Sequence, residues 1–395
     1  MQYKVGSMLG KGAFGEVYRA KDTMGRTFAL KILTLQDDTE VRAANRELKP
    51  LLQLAQRPHE HILPFLHHCY ENNKLHLVLE YCEQGTLNDL LLRQSWDDKV
   101  ELRLMAEIAD GVSFLHDNNI VHRDLKPDNI LISGSEQTPV VKVGDFGLAK
   151  ICGQGEESFV LSADNYYMLT YNGTKFFMPP EILLHNPYTC RCDVFSMGVI
   201  FVSMFVRTKI PSRSSESKPK VVAFVRGRYD VVPIGIAQNQ TENFSLKEEI
   251  LRGLDEHPFK DLCLLMLSKD HHVRPPARDV LDKIRSIQHL VPQNGTQNSP
   301  IHYMAQDPQI TYRCRPQPMP SPVSNRTRPS PGSNRPRPSP GSNRPRPSQA
   351  TVRKPQPVIV VGAVCVGAIA GFSCGGAMGA VGGAILGLGF GYFFG

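Results

Sequence analysis

The run Leu9-Gly10-Lys11-Gly12-Ala13-Phe14-Gly15-Glu16-Val17 sets three glycines in the pattern G-x-G-x-x-G-x-V. Without Cβ atoms, glycines let backbone N–H groups come close to phosphate oxygens. The same triplet opens dinucleotide folds, but there a helix follows at once. Here β-favouring residues flank the loop, Val5 before it and Val17-Tyr18 after it, so the expectation is a flap between two strands that covers a nucleotide. Fourteen residues beyond Val17 comes Lys31, ending the alternating strand Phe28-Ala29-Leu30-Lys31. A strand lysine is usually a solvated edge charge. It acquires a chemical role when a carboxylate holds its ammonium against phosphates, and the helical stretch 40–54 offers Glu47, with Glu40 as the nearest competitor.

A third cluster is His122-Arg123-Asp124-Leu125-Lys126-Pro127-Asp128-Asn129, followed after fifteen residues by Asp145-Phe146-Gly147. In order and spacing, the flap, the strand lysine and these two motifs resemble the eukaryotic protein kinase family over residues 3–287. The resemblance implies transfer of the ATP γ-phosphate to a hydroxyl of a protein substrate, with the transition state stabilised mainly by positioned cations. By motif position, Asp124 would orient the hydroxyl and accept its proton, and Lys126 would set positive charge on the moving phosphoryl group. Asn129 and Asp145 would supply hard oxygen ligands to Mg²⁺. Residues Leu9 to Val17 would cover the phosphates, and Lys31 paired with Glu47 would engage them. Val17, Ala29 and Leu131 would wall the adenine, while Leu79-Glu80-Tyr81-Cys82 matches the gatekeeper and hinge, with Glu80 and Cys82 bonding the base through their backbone. Asp193 matches the buried aspartate that supports the catalytic loop, and Glu181 with Arg274 an ion pair of the larger lobe.

Lys126 and Thr174 resemble the serine/threonine branch. Pro179 departs from the family's usual alanine, and Leu30 from its isoleucine, without touching a catalytic group. The implied fold is α+β and two-lobed, a sheet-rich lobe over about 1–82 and a helical lobe over about 83–287. Within it, Ser158, Ser162, Tyr166, Tyr167, Thr170 and Tyr171 occupy a long activation segment, where phosphorylation would pair with Arg123. A pseudokinase scaffold, retaining the pocket as a binding module, is the rival reading.

Composition limits the rest. The 395 residues carry 45 Lys plus Arg against 38 Asp plus Glu, a net charge of +7. That excess sits in the tail, where ten basic residues between Arg313 and Lys354 meet one acid, Asp307. A basic coat for nucleic acid is therefore not expected on the globular part. Nine scattered cysteines without a C-x-x-C pair argue against a disulfide framework or a zinc ribbon. No apolar core opens the sequence, so a signal peptide is not expected, and the N-x-S/T sites read as chance matches.

Residues 288–357 are rich in proline and hold a nine-residue repeat, SNRTRPSPG, SNRPRPSPG and SNRPRPSQA, over 324–350. This composition implies a disordered or polyproline spacer, with docking of SH3 or WW domains as the sharper alternative. Residues 358–395 contain no charged residue, and glycine recurs every fourth position from 367 to 395. The stretch is long enough for one membrane span or a helical hairpin, and its small-residue stripe suits close helix association and homo-oligomers. The whole would then be a kinase tethered to a membrane and facing the cytoplasm. The alternative makes the tail a membrane-active element that the kinase domain regulates.

Overall fold

A computed structural model describes residues 3–12, 15–152, 174–211, 218–227, 231–240, 245–246, 250–251 and 257–289. Ala13 and Phe14 of the flap, the hydroxyl-bearing stretch 158–171, the repeats at 324–350 and the apolar tail 358–395 lie outside the described residues.

The first lobe is a five-stranded antiparallel sheet in the order β1-β2-β3-β5-β4. Its strands are β1 (Lys4–Lys11), β2 (Gly15–Lys21), β3 (Thr27–Thr34), β4 (Phe65–Glu71) and β5 (Lys74–Glu80). Strand β3 runs three residues past Lys31, because Ile32, Leu33 and Thr34 continue the pairing with His76, Leu75 and Lys74. Lys31 is thus a central residue of a central strand. Period-two alternation gives β3 two different faces. Ala29 and Leu33 join Leu75, Leu77 and Leu79 in the main core, while Leu30 packs with Ala20 and Val78 in a separate small cluster on the outer face. Lys31 lies opposite Val17 and Leu77, on the core side.

Helix α1 (Asp38–Ala55) starts two residues earlier than its apolar pattern suggests. Asp37 caps it by accepting the Thr39 and Glu40 N–H groups, both at 2.8 Å, and the acids Asp38 and Glu40 suit the positive end of the helix dipole. The buried residues are Ala43, Ala44, Glu47, Leu48, Pro50, Leu51 and Leu54, so Glu47 is a carboxylate in an otherwise apolar face.

The second lobe is helical. Helices α2 (Leu87–Arg93), α3 (Asp98–Asp117), α4 (Pro180–Leu183), α5 (Arg191–Val206), α6 (Ile234–Gln240), α7 (Lys260–Met266) and α8 (Ala277–Gln288) surround a core whose centre is α5. Every residue of α5 from Cys192 to Phe205 is buried, the signature of a helix enclosed on all sides. Between α3 and α5 the chain forms β6 (Ile120–Val121), the hairpin β7 (Ile130–Gly134) with β8 (Pro139–Val143), and β9 (Lys150–Ile151), which pairs with β6. The loops at the ends of these short strands carry the motifs His122–Asn129 and Asp145–Gly147. No described helix is long and apolar enough to cross a membrane.

The flap glycines divide by what surrounds them. A Cβ on Gly15 would lie 2.4 Å from the Ile32 carbonyl oxygen and 2.7 Å from Leu33 Cδ2, so the sheet itself requires glycine there. At Gly10 nothing lies within 4 Å of that position, and at Gly12 the nearest atom is 3.7 Å away. Gly15→Ala is therefore expected to lower stability by about 1–3 kcal/mol, and Gly10→Ala to stay within about 0.5 kcal/mol of the parent; urea unfolding midpoints of the two variants test the contrast.

Candidate active site

The loop after β6 is held by one buried acid. Asp193, on the first turn of α5, accepts the backbone N–H of His122 and of Arg123, each at 2.8 Å, and lies 2.9 Å from His116 Nε2. Burial works against its charge, but the hydrogen bonds from His116 and the Arg123 N–H outweigh burial and keep the carboxyl below its ordinary range. This anchor fixes Arg123 at φ 67°, a left-handed conformation that costs a non-glycine residue about 1–2 kcal/mol. The sequence reading of Asp193 as the loop's support matches this geometry.

Asp124 follows directly and is 7% exposed. Its Oδ2 accepts Lys126 Nζ at 2.6 Å and Asn129 Nδ2 at 3.0 Å; the same amide nitrogen bonds the Asp124 carbonyl at 2.7 Å. Its Oδ1 is buried and has no hydrogen-bond partner among the described residues. A buried acceptor left open is costly and calls for a donor from beyond the described residues. Burial raises the Asp124 carboxyl above its usual range, with Lys126 opposing, and the Asp124 charge in turn keeps Lys126 protonated against its own burial.

Asn129 and Asp145 meet at one end of the β7–β8 hairpin. Ile130 pairs with Val143, and the Gly144 N–H bonds the Asn129 carbonyl at 2.9 Å. Since the Asn129 amide nitrogen is committed to Asp124, its side-chain oxygen is the atom left for a ligand. Asp145, at φ 60°, keeps its side chain 43% exposed. One Asp145 oxygen lies 2.8 Å from Lys31 Nζ, and that ammonium lies 2.6 Å from Glu47 Oε1. The pairing expected between Lys31 and Glu47 is therefore present. Glu40 instead accepts Thr34 Oγ1 at 2.8 Å and the Gln36 N–H at 2.7 Å. Burial opposes the charge on Lys31, but Asp145 and Glu47 overcome it and hold the ammonium protonated. Burial likewise opposes ionisation of Asp145, and Lys31 wins there too, holding that carboxyl well below its usual range. On Glu47 burial pushes upward and Lys31 pulls back.

Above this triad lie the residues expected to hold a base. Val17 and Leu131 are half-buried against the main core, and Ala29 is 7% exposed within it. The hinge stretch is pinned at both ends, by Glu80 N–H to the Pro64 carbonyl at 3.0 Å and by Gln84 N–H to the Ile132 carbonyl at 3.1 Å. The Cys82 carbonyl accepts from Gly85 at 3.2 Å. Burial pushes the Cys82 thiol up to about 12, so it is not a nucleophile and only its backbone is chemically available. In the flap, Gly12 N–H bonds the Gly15 carbonyl at 2.8 Å. Lys11 Nζ reaches Glu16 Oε1 at 2.9 Å, and Tyr18 OH donates to Glu16 Oε2 at 2.7 Å. Of the flap residues, Lys11 and Glu16 thus bind each other, while Gly10 and Gly12 leave open space.

Beside the site lie Arg123, which the His122-Arg123-Asp124 motif already marked, and Arg46, which spacing did not. Arg123 is buried and donates to the Leu148 carbonyl at 2.5 Å and to Tyr188 OH at 2.7 Å. Arg46, beside Glu47 on α1, has its Nη1 buried without a partner among the described residues, and burial followed by the charge of Arg123 lowers its pKa. Farther out, Glu181 and Arg274 form the expected pair as a buried fork at 2.6 and 2.8 Å, with the guanidinium 4.9 Å over the Phe195 ring.

Comparison with known proteins agrees with this arrangement. Serine/threonine-protein kinase dst1 of Dictyostelium discoideum is 27% identical over 282 residues, which are 71% of this chain and 34% of that protein. Cyclin-dependent kinase-like 2 of Homo sapiens is 34% identical over 211 residues, 52% of this chain and 40% of its own length. The chain thus spans well under half the length of these curated relatives. A family model described as the protein kinase domain matches residues 3–284, a span that contains the flap, the Lys31 triad, the Asp124 loop and the Glu181–Arg274 pair, and the chain belongs to that family.

Proposed function

We propose that the chain is a serine/threonine protein kinase that transfers the γ-phosphate of ATP to hydroxyl groups of protein substrates. The observation that carries this reading is the Asp124 carboxylate, one oxygen engaged by Lys126 and Asn129 and the other buried and open. An acceptor so placed suits a substrate O–H. In the reaction, Asp124 Oδ1 takes the hydroxyl proton as the oxygen forms its bond to the γ-phosphorus; the bond to the β-phosphate oxygen breaks and its electron pair leaves with ADP. Lys126 then balances negative charge on the phosphoryl group, and Lys31 steadies the remaining phosphates. Asn129 and Asp145 fit Mg²⁺ by their chemistry, a neutral amide oxygen and an exposed carboxylate kept ionised, and the bound cation would supply charge neutralisation on the phosphates. The serine/threonine assignment is supported by Lys126 and by the name of the Dictyostelium relative.

Two regulatory features follow from the same reading. Arg46 Nη1 is buried without a partner among the described residues and feels the charge of Arg123, an arrangement that favours a phosphate on a residue of the 158–171 stretch. The uncharged residues 358–395 would anchor the enzyme to a membrane with the kinase domain on the cytoplasmic side, and the glycine stripe would favour self-association. The proline-rich repeats remain a proposed strip for SH3 or WW partners.

Asp124→Asn is expected to lower kcat by about 10²–10⁴-fold with ATP binding retained; unchanged turnover would instead favour the scaffold reading. Lys126→Ala removes the cation that opposes burial at Asp124, so the Asp124 pKa rises and the acid limb of kcat/KM moves to higher pH; a pH–rate profile shows the direction. Arg46→Ala should reduce the gain in activity that follows phosphorylation of the 158–171 stretch, while leaving the unphosphorylated rate unchanged. Deleting 358–395 should release the chain from lipid vesicles in a flotation assay.

A further inference from the structure

Residues 218–223 are fixed to the helical lobe from several directions. Asn88 on α2, 2% exposed, donates Nδ2 to the Pro219 carbonyl at 3.0 Å and accepts the Val221 N–H at 2.9 Å. Thr208 Oγ1 donates to the Val222 carbonyl at 2.6 Å, and the Ala223 N–H donates to Ser203 Oγ at 2.8 Å. Within this clamp, β11 (Lys220–Val221) pairs with β10 (Lys209–Ile210). The clamped backbone delivers two lysines to two acids. Lys218 reaches Asp89 on α2 at 2.5 Å, and Lys220 bonds Asp128.

Asp128 is four residues from Asp124 and two from Lys126, on the same loop, and its side chain is 30% exposed. Its charge also reaches the Lys126 ammonium. An open carboxylate at this place would attract a basic side chain of any polypeptide whose hydroxyl approaches Asp124. Lys220 already satisfies it. Because the backbone of 218–223 is ordered by Asn88, Ser203 and Thr208, only side-chain freedom of Lys220 is lost in making the pair, and its local concentration is that of an intramolecular partner.

We infer that Lys220 is a specificity-determining residue: it closes the Asp128 carboxylate to incoming cations, so that the enzyme accepts hydroxyl-bearing protein segments without selecting arginine or lysine beside the acceptor. The inference deepens the kinase reading and rests on it for the identity of the incoming polypeptide. The pair is partly solvated, with Lys220 41% exposed, so opening it is expected to change selectivity by about two- to fivefold, the scale of exposed ion pairs.

The test uses the full chain and pairs of serine peptides that differ only by arginine or alanine, scanned over the three positions on either side of the serine. Binding by fluorescence anisotropy and phosphorylation are both read. Lys220→Ala should raise the arginine-to-alanine ratio about two- to fivefold at one or more positions. Lys209→Ala, which removes an equal charge from β10, should leave the ratio at the parent value. Lys220→Ala combined with Asp128→Asn should return it there. Equal ratios in the parent and Lys220→Ala, or an equal gain in Lys209→Ala, would overturn the inference. The binding ratio judges it even where no peptide is phosphorylated, an outcome that would count against the kinase reading itself.

Discussion

The site depends on one ammonium placed between two carboxylates. Lys31 Nζ lies within 2.8 Å of both Glu47 and Asp145, so three separate elements, β3, α1 and the loop after β8, meet at a single nitrogen. Glu47 is 3% exposed, and a charge so buried is tolerated only while it is paired. Removing one member of such a pair typically costs about 3–5 kcal/mol, because the other is left uncompensated. Here the loss would be sharper in kind, since the two acids would then face each other without a counter-ion. The position of α1 against the sheet and the conformation of Asp145 are therefore one electrostatic problem with one solution.

A second buried acid performs the same service for the loop of Asp124. Asp193 spends both oxygens on the N–H groups of His122 and Arg123, and α5, enclosed on every side, gives it no freedom to move. Arg123 and Asp145 both hold positive φ, and both occur where a carboxylate interaction fixes the surrounding geometry. Left-handed residues persist only where their surroundings over-determine them. Two of the seven positive-φ non-glycine residues among the described residues thus lie in the segments that bring Asp124, Asn129 and Asp145 together.

Much of this was legible in residue order. The G-x-G-x-x-G-x-V flap, Lys31, Asp124 to Asn129 and Asp145 are local motifs whose chemistry travels with their spacing. The choice of Glu47 over Glu40 required the helix phase: Asp37 caps the helix, and Glu47 then falls in line with Ala43, Ala44, Leu48 and Leu51, whereas Leu52, apolar in the sequence, is 41% exposed. Arg46 and Lys220 carried no such signal. Their partners are 77 and 92 positions away in the chain, and only the closing of the fold brings Arg46 beside Arg123 and Lys220 onto Asp128. The mutual pairing of Lys11 and Glu16 was hidden for a different reason, since it depends on the register across the flap and not on composition.

Charge counting in the centre explains what the assembled site favours. Glu47, Asp124 and Asp145 stand against Lys31 and Lys126, three carboxylates to two ammoniums in direct contact. Asp193 is occupied by backbone N–H groups and His116, and Asp128 by Lys220, so neither relieves the imbalance. One negative charge remains. Glu47 and Asp124 are buried, whereas the Asp145 side chain is 43% exposed, so the uncompensated charge is most accessible at Asp145, beside the Asn129 amide. A hard cation with oxygen preference suits that surplus, while a free anion would meet repulsion unless it arrived with a cation of its own. The surplus acid at the hairpin end and the open oxygen of Asp124 are therefore complementary: one suits a metal-bound polyphosphate, the other the hydroxyl that would attack it.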